Sequence, residues 1–155
     1  CRPRNQPSAE ISGNSVVGPL LDPPDRTDPE ELALISDPRL KAAVDLFNAG
    51  EWYACHDGLE ELWHETAGAM RPVLQGILQI AVGQLHLSSG NNRGAVILTG
   101  EGLGRLQRCP DQALGLDLQV LRAQATVWLQ ALQQNQHTDQ LPRPSLQWLQ
   151  SDAAL

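Results

Sequence analysis

The sequence predicts an all-α protein: a single helical bundle of about five to six helices with an irregular N-terminal arm. Three observations carry this prediction. Capping residues followed by proline or acidic residues recur along the chain, and apolar residues repeat with 3,4 spacing between them. No stretch alternates polar and apolar residues as a half-buried strand does, and no internal repeat is visible. At 155 residues, one domain is expected, burying about 70% of its unfolded surface.

Residues 1–26 hold five prolines, Gly13 and Gly18 without sustained periodicity, and read as a flexible arm. The bundle is expected over 27–135. It opens at Thr27-Asp28-Pro29-Glu30-Glu31, a cap, a proline at the first helical position and acids in the first turn. The same signal at Asp37-Pro38 opens a helix that runs to Ala49 and stops at Gly50. Over about 51–67, Trp52, Cys55, Leu59, Leu62 and Thr66 mark the packed face of a helix, with Asp57, Glu61 and Glu65 on the solvated side. The next helix, about 72–89, is apolar nearly all round and belongs at the bundle centre.

Gly90 ends that helix, and Asn91 or Asn92 caps another over about 93–108. Gly94, Gly100, Gly102 and Gly104 fall inside it, each costing about 0.8–1 kcal/mol against Ala, so this helix needs tertiary support. A turn near Pro110 and Gly115 leads to a helix over 118–134 with the stripe Leu118, Leu121, Ala125, Trp128 and Leu132. Pro142 and Pro144 break the chain, and residues 136–155 are expected to be a tail with a short docking helix around Trp148.

Composition narrows the function. Hydrophobic residues at 41% and charged residues at 19% are ordinary for a globular chain. With a net charge of −7 and Lys41 as its only lysine, the chain offers little for counterion release, which disfavours nucleic acid as a partner. Cys1, Cys55 and Cys109 form neither a zinc-finger pattern nor an even disulfide set, and a cytoplasmic location is expected. Gln75, Gln79, Gln84 and His86 interrupt the longest apolar stretch, 72–87, so it suits a bundle core and not a bilayer span; no membrane partner is expected. Residues 22–65 hold 12 acids and three bases, an acidic face that suits solvent or a basic protein partner. Apolar faces leave a homo-oligomer open.

One constellation has chemical potential. At 100° per residue, His56 falls within the apolar arc close to Trp63 and Glu60 at its edge, and the two are i,i+4 neighbours. On the 72–89 helix, Gln75, Gln79 and His86 share one narrow polar stripe, flanked by Gly76 and Gly83, which admit a second backbone closely. The simplest packing sets this stripe against His56 and Glu60. An unpaired buried polar group costs about 1–3 kcal/mol, so these five must satisfy one another, a water or a ligand. A hydrogen-bonded network, a small-ligand pocket and a divalent metal site on His56, Glu60 and His86 are the three readings. Bundle metal sites commonly need more carboxylates than Glu60 alone, which weighs against the metal. His64 falls near the solvated side, His137 in a polar segment, and Cys55 reads as a buried structural thiol.

The blocks Phe47-Asn48-x-Gly50-Glu51-Trp52-Tyr53-x-x-His56-x-x-Leu59-Glu60-x-x-Trp63, Arg71-x-x-Leu74-Gln75-Gly76-Ile77-Leu78-Gln79-x-Ala81 continuing to His86, and Gly90-Asn91-x-x-Gly94-Ala95 occur in order. Together they resemble the signature of domain-of-unknown-function family 309, over about residues 38–106. The resemblance implies a small helical protein. It also implies a site made of His56, Glu60, Trp63, Arg71, Gln75, Gln79, His86 and Asn91, without an established activity. The family often has Glu directly after the first His, where this chain has Asp57 and then Gly58.

The resulting expectation is a helical-bundle protein with a buried polar His/Glu/Gln cluster, non-enzymatic or small-ligand-binding, with no catalytic residue assigned and no cofactor required. The alternatives are a metal-binding protein or metal-dependent enzyme using His56, Glu60 and His86, and an acidic protein-interaction module.

Overall fold

A computed structural model describes residues 28–149, and the expected N-terminal arm lies outside them. Six helices follow one another among the described residues: α1 (Pro29–Ile35), α2 (Pro38–Ala49), α3 (Trp52–Glu65), α4 (Arg71–Ser88), α5 (Asn92–Leu106) and α6 (Leu118–Gln133). The all-α prediction holds, and the punctuation acts where the sequence put it. Asp28 accepts from the backbone N–H groups of Glu30 and Glu31, and Asp37 accepts from that of Arg39. Gly50 closes α2 at φ +78°, a left-handed conformation that glycine adopts without Cβ strain. Asn91 caps α5, its Oδ1 accepting from Gly94 N at 2.9 Å.

Helix α4 is central, packed by α3 on one flank and α5 on the other. The predicted face of α3 is buried through Trp52, Cys55, Leu59, Leu62 and Thr66. It meets Leu40, Val44 and Phe47 of α2, and Phe47 sets its ring edge-on to Trp52 at 5.1 Å between centroids. The α4–α5 seam is built on small residues. A Cβ added at Gly102 would lie 2.8 Å from Gly76 O, and one at Gly83 would lie 2.5 Å from Thr99 Oγ1. The glycines that weaken α5 as an isolated helix are thus what lets it approach α4 backbone to backbone.

Two features depart from the sequence reading. Between α5 and α6 lies a small antiparallel hairpin, β1 (Gln112–Ala113) with β2 (Leu116–Asp117). Two-residue strands are too short to show alternation. The signal lies in the turn, where Leu114 and Gly115 both take positive φ, 58° and 73°, as tight two-residue hairpins require. The second departure is the tail. Trp148 docks, as expected, but residues 136–149 contain no helix, and the part beyond lies outside the described residues. Trp148 forms an antiparallel bridge with Leu116. Asn48 exchanges two hydrogen bonds with the Leu146 backbone, donating to its O at 2.9 Å and accepting from its N at 2.7 Å. Gln124 accepts from Ser145 N, and Trp128 Nε1 donates to Pro142 O. Side chains of α2 and α6 therefore satisfy the tail's backbone groups, which lets it stay extended.

Candidate functional site

Helix α3 carries the His56 end of the site. The ring is 25% exposed, with Nδ1 3.2 Å from Asp57 Oδ1 and Nε2 3.9 Å from Glu60 Oε2. A carboxylate oxygen accepts, so in the tautomer that uses the Asp57 contact Nδ1 donates to it and Nε2 faces Glu60. Tyr53, largely exposed, stacks on the ring at 6.4 Å between centroids. Ligand atoms of His56, Asp57 and Glu60 all lie within 4.8 Å of one another, the one group of three or more such residues among those described.

One further turn along the same face, Trp63 meets the start of α4. The Arg71 guanidinium carbon sits 3.9 Å from the Trp63 ring centroid, a cation–π contact. Its Nη1 donates to the carbonyl oxygens of Trp63 and Thr66, both at 3.0 Å, which ties the C-terminus of α3 to the first turn of α4. The Trp63 indole N–H is buried without a hydrogen-bond partner. Gln75, half-buried, follows Arg71 by one turn on α4.

The remaining predicted residues face α5. Gln79 is buried, donating through Nε2 to Glu101 Oε1 at 3.2 Å and accepting from Arg105 Nε at 2.9 Å. His86 Nδ1 lies 3.2 Å from Asn91 Nδ2, at the corner between α4 and α5. Because Asn91 uses its oxygen to cap α5, its amide nitrogen donates, which places the His86 proton on Nε2.

The structure therefore distributes the predicted set over three places instead of one interior point. His56, Glu60, Trp63 and Arg71 line the α3–α4 side, Gln79 joins α5, and His86 with Asn91 closes the α4–α5 corner. Asp57, not His86, completes the group around His56 and Glu60. The physical reason is the side of α4 that α5 occupies. Gly76 and Gly83 draw α5 in beside the stripe, so Gln79 turns to Glu101 and Arg105 before it can reach α3. Glu101 and Arg105 were not singled out from the sequence. Their signal was an acid and a base four residues apart on a glycine-rich helix.

The surroundings of the acidic face are also specific. Arg39 donates through both terminal nitrogens to Glu65 at 2.9–3.0 Å and lies 3.6 Å from Glu61. These hydrogen bonds hold the Glu65 carboxyl below the usual carboxylate range, and Arg39 does the same to Asp37. Burial pushes the Cys55 thiol up to about 12; its Sγ donates to Ala43 O and touches no part of the site. No helix among the described residues is long and apolar enough to cross a membrane.

An uncharacterized protein of Aquifex aeolicus (strain VF5) is 27% identical over 85 residues, which are 54% of this chain and 26% of that protein. The chain thus spans about a quarter of that relative's length. Residues 40–98, from α2 into α5, match the family described as Domain of unknown function (DUF309), the family that the three sequence blocks resemble.

Proposed function

We propose that the chain is a small-ligand-binding helical protein whose ligand is a divalent transition-metal ion, taken up on the exposed side of α3 at His56. The observation that carries this reading is the two-sided arrangement of the imidazole. Asp57 at Nδ1 orients the ring, and Nε2 faces the Glu60 carboxylate at 3.9 Å without a hydrogen bond. Imidazole with carboxylate suits zinc, nickel and similar borderline ions. Metal–ligand bonds of about 2.0–2.2 Å set the two donor atoms closer together than 3.9 Å by about half an ångström. Glu60, 47% exposed, closes that gap by side-chain rotation. Two protein ligands leave coordination positions open to water or to a small ligand. The site is a binding site, and no catalytic step is assigned to it.

Titrating the chelator-treated full chain with zinc and with nickel tests the reading, with calorimetry as the readout. Saturable binding at one ion per chain is expected, abolished by His56→Gln or Glu60→Gln. Asp57→Asn should weaken it by about 10–100-fold, the usual effect of losing the partner that orients a ligating histidine. His86→Ala should leave it unchanged. Absence of saturable binding, or binding indifferent to His56→Gln, refutes the proposal.

The Gln79–Glu101–Arg105 chain supports a different role. It is a hydrogen-bond network that runs from buried Gln79 to half-buried Arg105 and exposed Glu101, in which the amide gives its donor to the carboxylate and its acceptor to the guanidinium and so supports the register of α4 against α5. The acidic interaction module is less well supported, since Glu61 and Glu65 already face Arg39.

A further inference from the structure

Away from the His56 face, an apolar cleft of about 620 Å³ opens between α1, the α3–α4 loop and the β1–β2 hairpin. Leu32, Ile35, Met70, Ala113 and Leu149 line it. Leu32 and Ile35 are at least 40% exposed, as is Trp148, which packs against the neighbouring Gly115. Contiguous apolar surface of this kind marks a docking site. Its walls are held in place by carboxylates of α1. Glu30 accepts from the backbone N–H groups of Ala67 and Gly68, and Glu31 accepts from that of Leu114. The cleft is therefore a built feature of the bundle.

Both ends of the described stretch lie at this cleft. Asp28, the first described residue, is part of its lining, and so is Leu149, the last. Of the two segments that continue from these points, residues 16–21 hold Val16, Val17, Leu20 and Leu21 and no charge, whereas 150–155 hold Asp152 and a single large apolar residue, Leu155. The cleft also presents the carboxylates of Asp28 and Glu31, which disfavour Asp152 and leave an uncharged segment unaffected. Six residues separate Leu21 from Asp28, a tether that reaches at most about 25 Å. Such a tether gives a local concentration in the millimolar range.

We propose that this cleft is the docking site for residues 16–21 of the same chain. Hydrogen exchange read by mass spectrometry on the full chain tests it. Amides within 16–21 should exchange about tenfold slower than free-chain rates, the protection of a segment docked roughly nine-tenths of the time. Leu20→Asp should return them to free-chain rates with the urea midpoint of the bundle unchanged, and Ile35→Asp on the cleft wall should do the same to the exchange. Free-chain exchange of 16–21 in the unmodified protein overturns the proposal. So does protection found at 150–155 instead, or protection that grows with protein concentration and so marks a second copy in the cleft.

Discussion

Two glycines on one helix should respond to alanine in opposite directions. Gly102 and Gly104 both lie in the last turns of α5, so replacing either removes the same backbone entropy penalty, about 0.5–1 kcal/mol in favour of the variant. At Gly104 an added Cβ meets nothing within 4 Å, and the gain is kept whole. At Gly102 it would lie 2.8 Å from Gly76 O and from Ile80 Cγ1, and 3.1 Å from Ile80 N. Ordinary contact begins near 3.4 Å, so α4 must retreat by about 0.6 Å from the new Cβ, because the Gly76 oxygen is backbone and cannot rotate aside. Overpacking of this kind costs about 1–3 kcal/mol, and the retreat also loosens neighbouring contacts along the seam. After the propensity gain is subtracted, Gly102→Ala should lose up to about 2.5 kcal/mol, and because both variants share that gain they should stand about 1–3 kcal/mol apart. Urea unfolding followed by circular dichroism reads this directly as shifts in midpoint at constant slope, of opposite sign for the two variants. Equal stability of Gly102→Ala and Gly104→Ala would refute the claim that α4 and α5 meet backbone to backbone.

Two further outcomes follow from the ionisable groups. Cys55, buried and with its thiol pushed up to about 12, should resist alkylation at mildly alkaline pH until the chain unfolds; peptide mapping that shows it modified at the rate of an exposed thiol contradicts the packing described. Its folded pKa stands above the ordinary 9.0, so it contributes stability at lower pH that is lost as pH rises from 9.0 toward about 12. Asp37 and Glu65 behave in the opposite sense, since the Arg39 hydrogen bonds depress their folded values below 3.8 and 4.5. Their contribution is present above those ordinary values and lost as pH falls through the folded ones. Stability of Arg39→Ala should therefore decline less steeply than wild type between about pH 5 and pH 2, by a small amount because the groups are at the surface. Parallel curves for the two proteins would remove Arg39 as the cause.

Of the candidate site, the α3 part was legible in the sequence because it lies within one helix. His56 and Glu60 are neighbours by helical geometry alone, and that relation survives whatever packs around them. The α4 stripe was legible as a stripe, since Gln75, Gln79 and His86 share a direction on one helix. Which neighbour the stripe meets is not a property of α4. Gly76 and Gly83 signal a close approach without naming the helix that makes it. Likewise the Arg71–Trp63 contact depends on how the loop between α3 and α4 turns.

Local chemistry determined the order of the helices, the caps at Asp28 and Asp37, the stop at Gly50, and the apolar stripes of α3 and α6. Each depends on residues a few positions apart, where backbone conformation and periodicity decide the outcome. Tertiary structure alone decided that Gln79 joins Glu101 and Arg105, that His86 stands apart from His56 and Glu60 beside Asn91, and that the tail docks as extended chain. The first two outcomes depend on which helix approaches α4 and how closely, set where backbones meet across Gly76, Gly83 and Gly102, and the third depends on the side chains that α2 and α6 offer the tail's backbone.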